Sequence, residues 1–274
     1  MRRLFDFLLV AALTIAVAFL FLPILALFIR ISPRSLVSAL TSPVALEALW
    51  VTIKTGLIAH AFVLGLGTPA AYFLGTRRFR GREAILTILE LPLVVPPAVA
   101  GIGLLAAFGR RGLLGDELSA LGISIPFTQV AVVMAVTFVA APFYLRQAIA
   151  AFAAVDRSLL DASRTLGASP WKTFRRIALP LSVGGLGAAS TLAWARGTGE
   201  FGATIMFAGS FQGITQTMPL AIYAELDRDI DVAIAIGAFL VVLSAVVLLS
   251  VKLLPSWRRW TSVSATPFAP SSSA

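Results

Sequence analysis

Six long apolar stretches, near residues 5 to 29, 47 to 75, 84 to 108, 127 to 152, 181 to 208 and 232 to 254, leave this chain few ways to fold. A membrane span needs about 20 mostly apolar residues to cross about 30 Å of hydrocarbon, and each stretch reaches that length. Hydrocarbon offers no partner to a bare amide or carbonyl, so a span is either a helix or a strand of a closed barrel. No stretch shows the ten-residue alternation of a barrel strand. The expectation is an all-α integral membrane protein of six transmembrane helices. Composition agrees: 58% hydrophobic and 13% charged residues in a 274-residue chain exceed what a soluble domain carries. The first stretch follows Arg2 and Arg3, yet its apolar run to Ile29 outlasts the core of a signal peptide, about 7 to 15 residues, so it reads as a retained helix.

Charge sets the orientation. Under six-span threading, fourteen cations fall on one side, among them Arg2, Arg77, Arg78, Arg80, Arg82, Arg157, Lys172, Arg175 and Arg258, against five on the other: Arg30, Arg34, Arg110, Arg111 and Arg228. The richer side is the cytoplasmic one by the positive-inside rule. That places the chain in the cell (inner, cytoplasmic) membrane as a multi-pass protein, with both termini and the loop 156–180 in the cytoplasm. The net charge of +9 then follows from topology and calls for no nucleic-acid partner. Residues 1–260 read as a single transmembrane domain, and the Ser-, Ala-, Thr- and Pro-rich tail 261–274 as a disordered segment.

Zero cysteines and a single histidine, His60, exclude disulfides, thiolate zinc and an all-histidine metal site within one chain. No cofactor is expected. Asp227, Asp229 and Asp231 have the opening spacing of a calcium loop, but Val232 holds the glycine place and Ala238 the closing glutamate place, so they read as a solvated face. Arg110 and Arg111 read as a solvated turn or as steering cations for an anion.

The loop 156–180 has a definite local form. Asp156 can cap a helix from Arg157 to Leu166, Gly167 can supply the left-handed residue that ends it, and Ser169 with Pro170 can restart the chain as N-cap and first helical residue. The order Asp161-Ala162-Ser163, Gly167, then Ile177, Leu179 and Pro180 resembles the "EAA" loop of ABC-transporter inner-membrane permeases, with Asp for Glu and Ser for the second Ala. The resemblance implies a helix that couples this chain to a separate ATPase subunit through those seven residues. The chain has no G-x-x-x-x-G-K-[ST] phosphate loop, so hydrolysis of ATP would belong to that partner.

In the fifth stretch, Arg196 and Glu200 are four apart and share one helix face. Charged groups in a span are costly and face a bundle interior or a water-filled path. Gly197, Gly199 and Gly202 beside them weaken the helix and allow close approach of an anion, as in the broken helices of transporters. Arg196, Thr198, Gly199, Glu200, Gly202 and Thr204 are therefore candidates for an anion path or gate; an ion pair that locks packing is the other reading. Pro92, Pro96 and Pro97 should kink the third span. Gly184, Gly185, Gly187, Ala188 and Ala189 read as a close-packing face, including contact with a second copy. Lys54 reads as snorkelling or anion-contacting, and His60 as a satisfied packing residue.

ELPLVVPPAVAGIGLL from Glu90, GRRGLLGDEL from Gly109, WARGTGEFGATIMFAG from Trp194 and TQTMPLAIY from Thr215 are similar to the permeases of molybdate ABC importers. The G-E-F-G element is shared with sulfate and tungstate permeases. The resemblance implies the type I ABC importer permease fold, a homodimer, an ATPase dimer on the cytoplasmic side and an external molybdate-binding protein. Tungstate or sulfate/thiosulfate cargo is the alternative within the family. A motor-free secondary carrier finds no support in an internal repeat, and an intramembrane enzyme none in a G-x-S-x-G element or a second histidine.

Overall fold

A computed structural model describes residues 2–253; the tail 261–274, Arg258 and Arg259 lie outside the described residues. Along the chain run α1 (Arg2–Arg30), α2 (Pro33–Leu40), α3 (Pro43–Thr76), α4 (Arg82–Val94), α5 (Pro97–Phe108), α6 (Gly115–Ala120), α7 (Gln129–Ala153), α8 (Arg157–Thr165), α9 (Pro170–Thr173), a π-helical turn Phe174–Ala178, α10 (Leu179–Thr198), α11 (Gly202–Ala208), α12 (Met218–Glu225) and α13 (Ile230–Leu253). Five helical runs among the described residues are long and apolar enough to cross a membrane: Arg3–Arg30, Pro43–Thr76, Gln129–Ala153, Pro170–Thr198 and Ile230–Val247. A sixth is counted only if α4 and α5 form one broken span.

Two of the six stretches are thus not the single helices expected. In the third, α4 and α5 meet at 114°, which is a reversal and no mere kink. Pro92 sits inside α4 without ending it. The break comes at Val95 and Pro96, with ψ 126° and 135°, because a residue before proline is driven out of the helical region and Pro96 and Pro97 each have one. In the fifth, the helix stops at Thr198 and a short α11 restarts at Gly202, so Glu200 lies between helices and not on the face of one.

The described residues divide into two compact units, one built from 2–52 with 210–244 and the other from 53–209 with 245–253. In the first, α1 is exposed along nearly its whole length, as suits a helix surrounded by lipid tails. Ala45, Ala48, Met218, Ala221 and Ile236 make the core of this unit. Here the TQT run forms a tight corner: the amides of Ile214, Thr215 and Gln216 all donate to Phe211 O, and Thr215 Oγ1 accepts from Phe211 N. The Thr52 hydroxyl oxygen accepts from Met218 N at 2.8 Å, satisfying one of the free amides at the start of α12. Asp229 likewise caps α13 through the amides of Asp231 and Val232, which gives one member of the aspartate trio a structural task.

The second unit is centred on α7, whose inward face of Ala131, Ala135, Val139, Ala148 and Phe152 is buried. α10 packs along it through small residues: a Cβ on Gly185 would come within 2.5 Å of Ala151 Cβ, and one on Gly197 within 3.0 Å of Val136. The small residues of the fifth stretch thus serve packing within one chain. α5 crosses α11 as closely, since a Cβ on Gly101 would fall 2.6 Å from Ala203 O and one on Gly202 would fall 2.8 Å from Pro97 Cβ. α7 and α11 are also tied end to end, because Phe127, held at φ 62°, donates its amide to Phe207 O just before Thr128 caps α7.

Candidate functional site

The break between α10 and α11 is held by one carboxylate. Glu200 is 2% exposed. Its Oε1 accepts from Ala203 N at 2.8 Å, satisfying a first-turn amide of α11, and its Oε2 lies 2.9 Å from Arg196 Nη1 in the last turn of α10. The second contact is an ion pair by distance without the alignment of a hydrogen bond, for Oε2 has no hydrogen-bonding partner among the described residues. Both placements suit the helix dipoles, a carboxylate at an N-terminus and a guanidinium at a C-terminus. The Arg196 side chain remains 29% exposed, with its guanidinium carbon 6.0 Å from the centre of the Phe143 ring on α7.

The remaining candidates of this stretch divide. Thr198 donates to Trp194 O within α10 and lines a small pocket with Gly56, His60, Trp194 and Gly197. Gly199 is open, whereas Gly202 is consumed by the close crossing with α5. Thr204 is fully buried and its hydroxyl has no partner among the described residues. The same pocket explains His60, whose Nε2 lies 2.8 Å from Ser190 Oγ and whose ring meets Trp194 edge-on. Lys54 donates to Gln129 Oε1 at 2.8 Å, joining α3 to the first residue of α7.

The 156–180 segment folds as a bracket. Asp156 Oδ1 accepts from Ser158 N at 2.9 Å, and that amide, with help from the Ser158 hydroxyl, holds the Asp156 carboxyl below its ordinary value. Gly167, at φ +79°, ends α8; its amide donates to Arg164 O and that of Ala168 to Ser163 O, the paired bonds of a Schellman motif. Ser169 then caps α9 through Lys172 N. The two arms are tied by a buried pair of hydroxyls, Ser163 Oγ and Thr173 Oγ1, 2.8 Å apart. Ser163 spends its proton on Leu160 O, so Thr173 is the donor between them. Pro180 has no N–H and its ring would strike the carbonyl four residues back. The π-helical turn ahead of it, with Leu179 N donating to Phe174 O, supplies the wider geometry and lets α9 run on into α10.

Burial sorts the seven residues expected on this segment. Ser163 is buried, while Ile177 and Leu179 pack against the core formed by Tyr144, Phe152, Leu160 and Ala178. Asp161 is exposed and pairs with Arg164 at 3.1 Å, and Ala162, Gly167 and Pro180 are exposed. The outward apolar face is made by residues that sequence reasoning passes over, Leu166 at 88% and Trp171 at 67% exposure. Their signal was present: large apolar side chains flanking a glycine corner in a polar loop. Arg146, a cation inside the fourth apolar stretch, is also passed over; its Nε lies 3.9 Å from Glu90 Oε1 on α4.

Residues 66–260 match the family described as binding-protein-dependent transport system inner membrane component. The molybdenum transport system permease protein ModB of Mycobacterium tuberculosis is 42% identical over 237 residues, covering 86% of this chain and 89% of that protein. The ModB of Escherichia coli K12 is 39% identical over 178 residues, 65% of this chain and 78% of that one. A probable sulfate transport system permease protein of Zygnema circumcarinatum is 31% identical, covering 90% and 88%. In fold, a bacterial ABC transporter that imports the acidic polysaccharide alginate superposes with a TM-score of 0.73 at 20% identity, over 93% of this chain and 96% of that one. With a match over most of its length and a relative at this identity, the chain belongs to the inner membrane components of binding-protein-dependent transport systems, the permeases of ABC importers.

Proposed function

We propose that this chain is the permease subunit of an ATP-driven molybdate importer, with the break between α10 and α11 on the anion path and the 156–180 bracket as the docking point of a separate ATPase. The observation that carries the path is the Arg196–Glu200 pair: a partly exposed guanidinium, within a run long enough to span a membrane, against a carboxylate that also caps the next helix. Such a cation can take an oxyanion as its carboxylate lets go, and the two half-helices then change their relative hold. Molybdate is favoured over sulfate because the relatives named for molybdenum transport are 42% and 39% identical and the one named for sulfate 31%.

The assembly that fits is two copies of this chain, two ATPases on the cytoplasmic side and a binding protein outside, with both termini of the permease in the cytoplasm. The bracket suits a lever, because α9 continues without a flexible joint into α10, which carries Arg196 in its last turn and ends at Thr198, just before Glu200. Motion at the bracket therefore reaches the path through one helix. Co-expression with an ATPase of the same family tests this. The expected result is co-purification and ATP-dependent molybdate uptake, both lost in Gly167→Pro, since proline cannot adopt φ +79°. Failure to co-purify, or uptake undiminished in Gly167→Pro, would refute the assignment.

A further inference from the structure

We propose that Arg146 forms a second anion-binding station, one helical turn beyond Arg196 along the same face of α7; this rests on the path reading above. Phe143, Arg146, Gln147 and Ala150 recur at the spacing that puts residues on one helix face. Arg146, Gln147 and Ala150 are exposed, whereas Tyr144, Leu145 and Ala148 between them are buried. Arg196 leans toward this face from α10, its guanidinium over Phe143. Phe143 and Arg146 are three residues apart, about 5 Å of rise. Two cations thus address one strip of α7.

The Arg146 side chain is 71% exposed although α7 spans, and it stands seven residues before the end of the helix, about 10 Å along the axis. A guanidinium within a span is costly against lipid and suits a water-filled path. Its pairing with Glu90 cannot be a folding lock, because the 3.9 Å separation is loose and the Glu90 side chain is itself 50% exposed. Each station has the same parts, a cation and a carboxylate that yields, with the grip tight at Arg196 and loose at Arg146. A graded pair of weak sites lets an ion enter and also leave, which a single strong site does not.

The chain contains no cysteine, so a single introduced thiol reports its own surroundings. In the reconstituted importer with ATPase and binding protein, Gln147→Cys beside Arg146 and Gly199→Cys, at the exposed end of α10 three residues from Arg196, are reacted with a membrane-impermeant sulfonate thiol reagent, with and without molybdate. Both thiols should react from water. Molybdate at about ten times its dissociation constant should slow each roughly tenfold, in proportion to the fraction of unoccupied sites. At Gln147→Cys that protection should vanish with Arg146→Gln and survive with Arg146→Lys. Protection at Gly199→Cys but not at Gln147→Cys refutes the second station and leaves the path standing; protection at neither refutes both. An unreactive Gln147→Cys puts the strip against lipid or a second copy, and protection indifferent to Arg146→Gln makes Arg146 a snorkelling surface cation; either result overturns the proposal.

Discussion

Ser163 stands where the permease loop pattern has alanine, and its hydroxyl is part of the bracket's interior. Ser163 and Thr173 are 6% and 1% exposed, so neither hydroxyl has water to fall back on. Removing one partner leaves the other buried and unpaired, whereas removing both leaves an apolar contact. Ser163→Ala and Thr173→Val should each destabilise the permease by about 1 to 3 kcal/mol, and the double variant by less than their sum. Thermal unfolding in detergent, run as a double-mutant cycle, measures this; strict additivity would mean the two hydroxyls do not interact. The caps of the bracket were legible residue by residue, because Asp156, Gly167, Ser169 and Pro170 act on atoms within a few positions of themselves. The Ser163–Thr173 tie was not, since a bond across ten residues depends on the corner having already folded.

At the level of helices, positions of breaks were easier to foresee than their size. Consecutive prolines announce a stop at Val95 and Pro96, but a 114° reversal is decided by what α5 packs on. That partner is α11, and the contact is made through glycine. Gly101 and Gly103 lie two residues apart in α5 and should respond oppositely to the same change. A Cβ at Gly101 would press on Ala203 O at 2.6 Å and Met206 Cβ at 2.7 Å, while one at Gly103 meets nothing within 4 Å. Gly101→Ala should cost about 1 to 3 kcal/mol through overpacking. Gly103→Ala should gain roughly 0.5 to 1 kcal/mol by restricting the unfolded chain. Unfolding midpoints of the two variants decide the matter, and equal shifts of one sign would show that the crossing is looser than its distances. The Arg196–Glu200 relation shows the same division. Four-residue spacing put the two side chains together, yet the helix that suggested the spacing ends before Glu200, and the pair survives because Glu200 serves α11 instead.

Across the molecule, apolar length and cation placement carried most of the information, since both are set by the bilayer and need no knowledge of packing. They were silent on α4 and α5, where one apolar stretch becomes two helices, and on Arg146, a cation within a span that we propose as a site and not a topology marker. The orientation drawn from charge is open to direct measurement. Leu113, 85% exposed between α5 and α6, should lie outside, and Leu166, 88% exposed at the bracket's corner, inside. With no native thiol to interfere, Leu113→Cys should react with an impermeant maleimide in intact cells and Leu166→Cys only after permeabilisation. The reverse pattern would invert the topology and move the bracket away from any cytoplasmic motor.

The double duty of Glu200 also bears on what an idle importer admits. A lone guanidinium beside a passage would draw chloride as readily as any oxyanion, and an open route for chloride would dissipate the membrane potential. Here the positive charge is cancelled at 2.9 Å by a carboxylate belonging to the chain itself. A stray monovalent anion meets almost no net field at that point and must compete with a tethered counter-ion already in place. A doubly charged oxyanion delivered at high local concentration by a docked binding protein has the stronger claim. On the proposed path, the pair would act as a valence filter, electrically silent at rest and answering to charge density ahead of size.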